Sequence, residues 1–298
     1  MAWRDQLMIH SFFQGACTAL VTPFLGDRVN FPMMEILLKR QMDAGIRTIV
    51  LCGTTGESAT LSDSEKLEII RRAKRYTGDS CTILAGTGSN CTEHAVALSR
   101  AAQAAGADGL LVVSPYYNKA TSEGLITHYS AIASAVQIPL VLYNVPSRTG
   151  VDIPVEVYRV LSQIPNIVGV KEASGDLTKM AETLRTCQTG FSVWSGNDDQ
   201  AVAAMSLGGA GVISVVSNLL PERVQAMSLA ALDGDFDTAA ALQLELLPLI
   251  RTLFREVNPI PVKAAMEIIG FDCGACRLPL TPPDDKTILE LRKNLLSN

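Results

Sequence analysis

Hydrophobic residues in this chain fall into short runs that alternate with stretches of helical periodicity. The runs are bounded by glycine, proline or polar residues, a pattern typical of strands buried in a parallel sheet. Eight runs are predicted to be strands, at residues 16–24, 48–53, 82–86, 109–114, 139–145, 167–173, 191–196 and 211–216.

The stretches between these runs carry signals for helix starts and stops. Ser62 and Glu65 form a capping-box pattern ahead of an apolar periodic segment, which predicts that a helix begins there. Acidic residues open two later segments, and acids suit the positive end of the helix dipole. Further helices are predicted at 92–105, 176–187 and 198–207.

Alternating strands and helices predict an α/β fold with a parallel sheet, and eight such units in about 230 residues indicate a (β/α)8 TIM barrel. A doubly wound sheet is the alternative, but a glycine-rich fingerprint is expected after its first strand, and residues 22–26 do not provide one. No strand pattern follows residue 235. We therefore predict a barrel at 1–235 and a C-terminal helical region at 236–298, packed on the barrel, with helices at 238–256, 258–269 and 287–296.

Composition narrows the range of partners. The chain has 298 residues, a formal net charge of -5 and 48% hydrophobic residues. Mild acidity without a Lys/Arg block argues against nucleic acid or an anionic membrane as partner. No apolar run approaches the ~18 residues of a membrane helix. The N-terminal segment lacks the pattern of a secretory signal, so a cytoplasmic location is expected.

The seven cysteines are scattered, and several lie in apolar runs, as expected for reduced core thiols. Only Cys273 and Cys276 have a suggestive spacing. A zinc site would need a second pair or histidines, and His10, His94 and His128 form no cluster with them. We therefore predict that the chain binds no metal and that this cysteine pair is structural.

Lys171 is the most informative charged residue, because it ends the apolar run of the sixth predicted strand. Lysine is rarely fully buried without a reason. One reason is chemistry: a buried amine can attack a carbonyl as a Schiff-base nucleophile. The other interpretation is a strand-end lysine whose amine reaches solvent. The segment alone does not decide between the two.

In a barrel, chemistry gathers at the C-terminal ends of the strands. Here these ends carry hydroxyls, phenols, an arginine and acids, at Thr54, Thr55, Tyr116, Tyr117, Tyr143, Arg148, Gly196, Asn197 and Asp198. Together with Lys171 they supply an amine nucleophile, groups that relay protons and a guanidinium for a substrate carboxylate. The chain has no Walker-type phosphate loop. The pattern therefore indicates a small keto acid without phosphate, handled without a cofactor.

Five sequence blocks resemble one known family. GTTGE, SPYYNK, YNVPSRTG, GVKEASGD and GVISV, in this order, are similar to the dihydrodipicolinate synthase family, within the pyruvate-dependent class I aldolases. The resemblance covers residues 15–279. It implies condensation of pyruvate with L-aspartate 4-semialdehyde in lysine (diaminopimelate) biosynthesis, through a covalent imine and without a cofactor. It also implies a homotetramer, built as a dimer of dimers.

The resemblance assigns roles residue by residue. Lys171 forms the imine with pyruvate, and Tyr143 donates and accepts protons. Thr54 and Tyr117 complete a proton relay, with Tyr117 reaching across from a neighbouring subunit. The implied substrate-binding residues are Thr55 and the backbone at Ile213 for pyruvate, Arg148 for aspartate semialdehyde, and Gly196.

Two alternative functions remain. The first is a sugar-acid aldolase or lyase of the same superfamily, such as N-acetylneuraminate lyase, which uses a different aldehyde. The arginine of the SRTG motif and the Thr-Thr pair favour the synthase over these relatives. The second is a catalytically inactive ligand-binding barrel. The presence of the lysine, both tyrosines and the arginine argues against it.

The resemblance also bears on regulation. In lysine-inhibited members, an interface site uses a Ser-Ala pair, two histidines, an asparagine, a glutamate and a tyrosine. Four of these groups are kept in this chain: the Ser-Ala pair is Ser58 and Ala59, the asparagine is Asn90, and the tyrosine is Tyr116. It places Asp63 and Lys66 at the histidine positions and His94 at the glutamate position. Losing that carboxylate removes the partner of the inhibitor's ammonium, so weak or absent inhibition by L-lysine is expected.

Overall fold

Eight parallel strands close into a barrel in the computed structural model of the chain, which describes residues 11–296. The barrel strands are β1 Gly15–Ala19, β4 Thr48–Leu51, β5 Thr82–Gly86, β6 Gly109–Val113, β7 Leu140–Asn144, β8 Ile167–Glu172, β9 Ser192–Ser195 and β10 Gly211–Ser214; the two short strands between β1 and β4 lie outside the barrel. The order around the barrel is β1-β10-β9-β8-β7-β6-β5-β4, so each barrel strand pairs with the next barrel strand in the chain and β1 closes the ring on β10. The predicted barrel is confirmed, and the doubly wound alternative is wrong.

Helices follow the strands and form the outer layer. The helices are α1 Phe31–Asp43, α2 Asp63–Thr77, α3 Thr92–Ala104, α4 Ser122–Ala135, α5 Pro146–Thr149, α6 Val155–Leu161, α7 Leu177–Thr186, α8 Ala201–Ser206, α9 Pro221–Asp233, α10 Phe236–Leu253, α11 Ile260–Ile268 and α12 Asp285–Leu296. Short 3₁₀ turns lie at Ser58–Thr60, Asp198–Gln200 and Val216–Asn218. The predicted capping box is present: Ser62 and Glu65 each accept from the other's backbone N–H.

The first predicted strand, 16–24, is too long. β1 ends at Ala19, and Phe24–Leu25 (β2) pairs antiparallel with Arg28–Val29 (β3) in a separate hairpin. Pro23 has no N–H to donate to a sheet. Beyond it, the backbone N–H of Phe24 donates to the carbonyl of Cys273 instead. The apolar pattern continues through this break, which is why the sequence suggested a single strand.

The barrel interior is filled by its own apolar cluster. Its fully buried members come from most of the strands and include Cys17, Val50, Leu84, Leu111, Val141, Trp194 and Ile213. Stacking of Phe13 on Trp194, with ring centroids 4.6 Å apart, adds to the packing of this cluster. Because the interior is packed, it is not an open channel, and substrate access is confined to the strand ends.

The C-terminal helices share a hydrophobic core with the barrel layer. Leu246 and Leu249 of α10 and Val262 of α11 belong to the same buried cluster as Leu20 and Ile49. The division of the chain at residue 235 stays a prediction. Residues 1–10, on which the predicted absence of a secretory signal depends, lie outside the described residues. Within residues 11–296, no helix combines the length and the apolar character needed to cross a membrane.

Candidate active site

Lys171 and Tyr143 face each other near the C-terminal ends of β8 and β7. They are direct cross-strand partners. The Lys171 Nζ lies 4.5 Å from the centroid of the Tyr143 ring. Lys171 is 5% exposed and Tyr143 is 7% exposed. The interpretation of Lys171 as a strand-end lysine reaching solvent is therefore wrong, and a buried amine stands beside a phenol.

Gly196, at the end of β9, borders the Lys171 side chain closely. A Cβ built on Gly196 would lie 2.7 Å from the Ala173 Cβ and 3.1 Å from the Lys171 Cε. The first separation is shorter than real carbon contacts allow. Any other residue at position 196 would therefore displace Ala173 or press on the lysine, which explains the glycine on packing grounds.

The turn after β4 carries Thr54 and Thr55. Thr54 is half-buried, whereas Thr55 is 2% exposed. The Thr55 Oγ1 accepts a hydrogen bond of 3.0 Å from the side-chain amide of Asn258. Asn258 precedes α11 and was not identified from the sequence. Its contact with Thr55 spans 203 residues of chain, so no local pattern signals it.

Glu57 follows Thr54 and Thr55 in the same turn and is hydrogen-bonded to the C-terminal region. It has a φ of 55°, an uncommon conformation for a residue with a side chain. Its carboxylate accepts from the Lys263 Nζ at 2.8 Å and from the backbone N–H of Arg277 at 2.8 Å. The Lys263 and Glu57 side chains are 3% and 0% exposed. A buried ion pair thus ties the threonine turn to the C-terminal region.

Arg148 lies in the short helix α5, in the loop after β7, and it is exposed. Its guanidinium donates a hydrogen bond of 3.2 Å to the main-chain carbonyl of Asn258. Asn258 is therefore bonded to both Thr55 and Arg148. Its own Oδ1 is buried without a hydrogen-bond partner among residues 11–296. The structure thus connects Arg148 to the threonine turn through one asparagine.

Ile213 is fully buried on β10 and belongs to the interior cluster with Tyr143. The loop that follows it is held by Asp198, whose Oδ2 accepts from the backbone N–H groups of Val215 and Val216 at 2.8 and 3.2 Å. Burial raises the pKa of the Asp198 carboxyl. Asp198 was recognised only as a polar strand-end residue; its structural role depends on contacts with β10.

Tyr117 is the one predicted catalytic residue that the single chain leaves on its surface. It is 91% exposed, with a φ of 69°, and its neighbour Tyr116 is 40% exposed. The role that the resemblance gives to Tyr117 requires a neighbouring subunit, so this part of the site stays a prediction.

Metal and redox chemistry were predicted to be absent. Across residues 11–296, no cluster of three or more His, Cys, Asp or Glu side chains could hold a metal ion. Cys273 and Cys276 are both free thiols. Burial raises the pKa of the Cys273 thiol to about 12 and that of Cys276 to about 11. Both thiols are therefore protonated near neutral pH.

Comparison with known proteins gives a consistent family match. Residues 12–297 match the model of the dihydrodipicolinate synthetase family. The chain is 48% identical over 286 residues to a 4-hydroxy-tetrahydrodipicolinate synthase of Thermoanaerobacter pseudethanolicus, covering 96% of each chain. It is also similar to the dihydrodipicolinate synthase structures of Aquifex aeolicus (40% identity) and Thermotoga maritima (38% identity). Each has a TM-score of 0.94, with 96% of this chain and 98% of the other covered.

Proposed function

Because this chain belongs to the dihydrodipicolinate synthetase family, it is a 4-hydroxy-tetrahydrodipicolinate synthase of lysine biosynthesis, and we propose which residues perform its reaction. One observation carries the proposal: the Lys171 amine is buried 4.5 Å from the Tyr143 ring, at the end of the barrel where α/β barrels place their chemistry. The proposed catalytic residues are Lys171, Tyr143, Thr54 and Tyr117, and the proposed substrate-binding residues are Thr55, Arg148, Gly196 and Ile213.

The proposed reaction begins with attack of the Lys171 Nζ on the carbonyl carbon of pyruvate. Loss of water gives an imine, which withdraws electrons so that the pyruvate methyl can release a proton and become an enamine. The enamine carbon then attacks the aldehyde of L-aspartate 4-semialdehyde. The amine of that substrate displaces the lysine as the ring closes, which regenerates free Lys171.

Tyr143 is proposed to move the protons, because its phenol is on the same barrel face as the Lys171 amine. Proton transfer by a positioned side chain contributes typically about 10²–10⁴-fold to a rate. Thr54 and a neighbouring subunit's Tyr117 extend this relay in the proposal. The 91% exposure of Tyr117 in the single chain suits a residue that inserts into another copy. This exposure supports contact with another copy, and as the active assembly we propose the homotetramer, a dimer of dimers, that the family resemblance implies.

The assay that tests this function supplies pyruvate with L-aspartate 4-semialdehyde and follows consumption of both. We expect turnover with this pair and none with N-acetylneuraminate as a cleavage substrate. Turnover of N-acetylneuraminate instead would favour the sugar-acid lyase alternative. No turnover of either, with purified folded protein, would favour the inactive barrel. A cytoplasmic location is part of the proposal, supported by the seven free cysteines.

Arg148→Ala is expected to weaken use of aspartate semialdehyde far more than use of pyruvate. The reason is that the guanidinium is proposed to bind the carboxylate of the second substrate, and loss of one charge-assisted pair costs roughly 10- to 100-fold. Steady-state kinetics with each substrate varied in turn measures the difference. Arg159→Ala removes the same charge from an exposed ion pair with Glu156 and serves as the control. Equal effects on both substrates would contradict the assignment.

L-Lysine is expected to inhibit weakly or not at all. His94 occupies the position of the inhibitor-binding glutamate, and its Nε2 lies 2.7 Å from Asp63 Oδ2. Asp63 also lies 3.8 Å from the Lys66 amine, so its carboxylate is already paired with this chain's own groups. A titration of activity with L-lysine measures the effect. His94→Glu should increase sensitivity, and near-complete inhibition of the unaltered enzyme below millimolar L-lysine would refute the prediction.

A further inference from the structure

The pairing of β7 with β8 is irregular just before the candidate catalytic residues. Leu140 pairs with Ile167, but Val141 pairs with Gly169, so β8 carries one extra residue at Val168. Val168 packs against the interior cluster, whereas Val170 belongs to the outer cluster. Residues two apart face the same side of a regular strand. The bulge therefore reverses which of the following residues of β8 face the barrel interior, and it lets Lys171 point into the barrel.

A bulge leaves the register of the following residues weakly specified by hydrophobic pattern. Val170 is an apolar residue that could also fill an interior position, and a slip of one residue would exchange the faces of Val170 and Lys171. Gly169 favours the observed register on the β9 side, because a slip would bring a valine to its position. Its missing Cβ would lie 2.2 Å from the Ser192 carbonyl oxygen, so close packing with β9 requires glycine there. This contact acts only on the β9 side, so an interaction on the β7 side would hold β8 in register from both of its edges.

Asn144 and Glu172 provide a direct link between the two strands at this point. Each immediately follows a proposed catalytic residue, and the two are cross-strand partners. The Asn144 Nδ2 donates a hydrogen bond of 2.8 Å to Glu172 Oε1. Asn144 is 0% exposed and Glu172 is 1% exposed. Their side chains lie on the outer face of the barrel because successive strand residues alternate, opposite to Tyr143 and Lys171.

Both polar atoms of the Asn144 side-chain amide are hydrogen-bonded. Its amide also donates to Asp152 Oδ1 at 2.8 Å, and its Oδ1 accepts from the Ile153 N–H at 3.0 Å. Asp152 is in turn paired with the Lys179 amine. A buried amide with all its groups satisfied has one favourable orientation, and rotating it would leave polar atoms unpaired.

Glu172 is held equally firmly. Its Oε1 also accepts from the Ser174 N–H at 2.9 Å, and its Oε2 accepts from the Tyr158 hydroxyl at 2.9 Å. Burial, reinforced by the neighbouring Glu172, raises the pKa of Tyr158, so this hydroxyl stays protonated and donates. Tyr158 is in α6, so the carboxylate is fixed to the helix layer as well as to β7.

We propose that Asn144 and Glu172 are positioning residues that hold β7 and β8 in the register that places the Lys171 amine against the Tyr143 phenol. This inference rests on the proposed roles of Lys171 and Tyr143. It explains why two buried polar side chains occur on the apolar outer face of the barrel directly after the two reacting residues. A misplacement of about 1 Å can cost on the order of 10²-fold in rate, so such a link has a direct catalytic consequence.

The test compares Glu172→Met with Glu172→Gln, which have similar length but differ in hydrogen bonding. The measured quantity is the rate of pyruvate adduct formation on Lys171 under borohydride, per folded enzyme. We expect Glu172→Met to lower this rate by roughly 10²-fold. Glu172→Gln keeps an acceptor for Asn144, and the Tyr158 hydroxyl can accept from its amide, so it should stay within roughly tenfold of the unaltered enzyme. The KM for aspartate semialdehyde should not change in either variant, because Arg148 is not bonded to this network.

Gln41→Met is the matched control. Gln41 is 1% exposed and accepts a hydrogen bond of 2.7 Å from Thr18 of β1, so its loss also removes a buried strand-to-helix link. We expect a lower Tm with an unchanged trapping rate. A trapping rate within threefold of normal for Glu172→Met would overturn the proposal. An equal loss of trapping rate in Glu172→Gln and Glu172→Met would also overturn it, because the carboxylate charge rather than the hydrogen-bonded register would then be responsible.

Tyr158→Phe is a second test of the same proposal, to be used if Glu172→Met does not fold. It removes only the hydroxyl that donates to Glu172 Oε2, and it should slow adduct formation by roughly 5- to 10-fold, the value of about one hydrogen bond. An unchanged rate would overturn the positioning role. The unaltered enzyme separates the two proposals. Absence of any pyruvate adduct on Lys171 would refute the proposed catalytic role of Lys171, whereas normal trapping in every variant would refute only the positioning role of Asn144 and Glu172.

Discussion

Pyruvate and borohydride together are expected to add mass irreversibly to Lys171, and Lys171→Ala is expected to abolish both the adduct and the condensation. Four lysines are buried among the described residues, Lys66, Lys171, Lys179 and Lys263. Three of them have a carboxylate oxygen within 4 Å, whereas Lys171 has none among residues 11–296. An amine that is hydrogen-bonded or ion-paired to a carboxylate is held by that partner and is less free to approach a substrate carbonyl. Burial together with the missing counter-ion therefore selects Lys171.

Intact-protein mass spectrometry followed by peptide mapping measures this result. Lys66→Met is the matched control, because it also removes a buried lysine but one that lies 3.8 Å from Asp63. This variant should keep the full adduct on Lys171. An adduct that persists in Lys171→Ala and maps to another lysine would show that the nucleophile has been misassigned.

Local sequence patterns were sufficient to predict the strands and the approximate positions of seven of the twelve helices among residues 11–296. All eight barrel strands were predicted, because each is a buried apolar run between turn residues, and Ser62 marked the start of α2 because its capping box depends on residues only three apart. Errors arose where a local pattern continued past a break, as at Pro23. The helix predicted at 198–207 begins instead as a 3₁₀ turn, Asp198–Gln200, before α8.

The contacts that support the site could not be predicted in the same way. Asn258 lies 203 residues from Thr55, and Lys263 lies 206 residues from Glu57. The face of Lys171 depends on a bulge at Val168 that no alternation pattern shows. The candidate catalytic residues could therefore be predicted from the sequence at the strand ends. The side chains that position them could be identified only from the three-dimensional structure of the barrel.

The buried pair of Lys263 and Glu57 is where we expect the largest loss of stability from one substitution outside the proposed catalytic residues. The Lys263 Nζ is 2.8 Å from Glu57 Oε1, and it also donates to the Ala275 carbonyl at 3.0 Å. It lies 4.4 Å from the centroid of the Phe24 ring. Neither charged group can reach water without moving the turn that carries Thr54 and Thr55. Removing the cation leaves an uncompensated carboxylate in the protein interior, which costs about 3–5 kcal/mol.

Lys263→Met is accordingly expected to lower the Tm by roughly 10 °C in a thermal unfolding scan. It should also raise the KM for pyruvate, because Glu57 then no longer fixes the turn that holds Thr55. Lys39→Met makes the same substitution in an exposed pair with Asp43, where the Tm should not change. Adding Glu57→Gln to Lys263→Met removes the stranded charge and keeps an acceptor for the Arg277 N–H, so it should recover part of the lost Tm. A normal Tm for Lys263→Met, or a further loss in the double variant, would mean that the pair does not hold the turn in place.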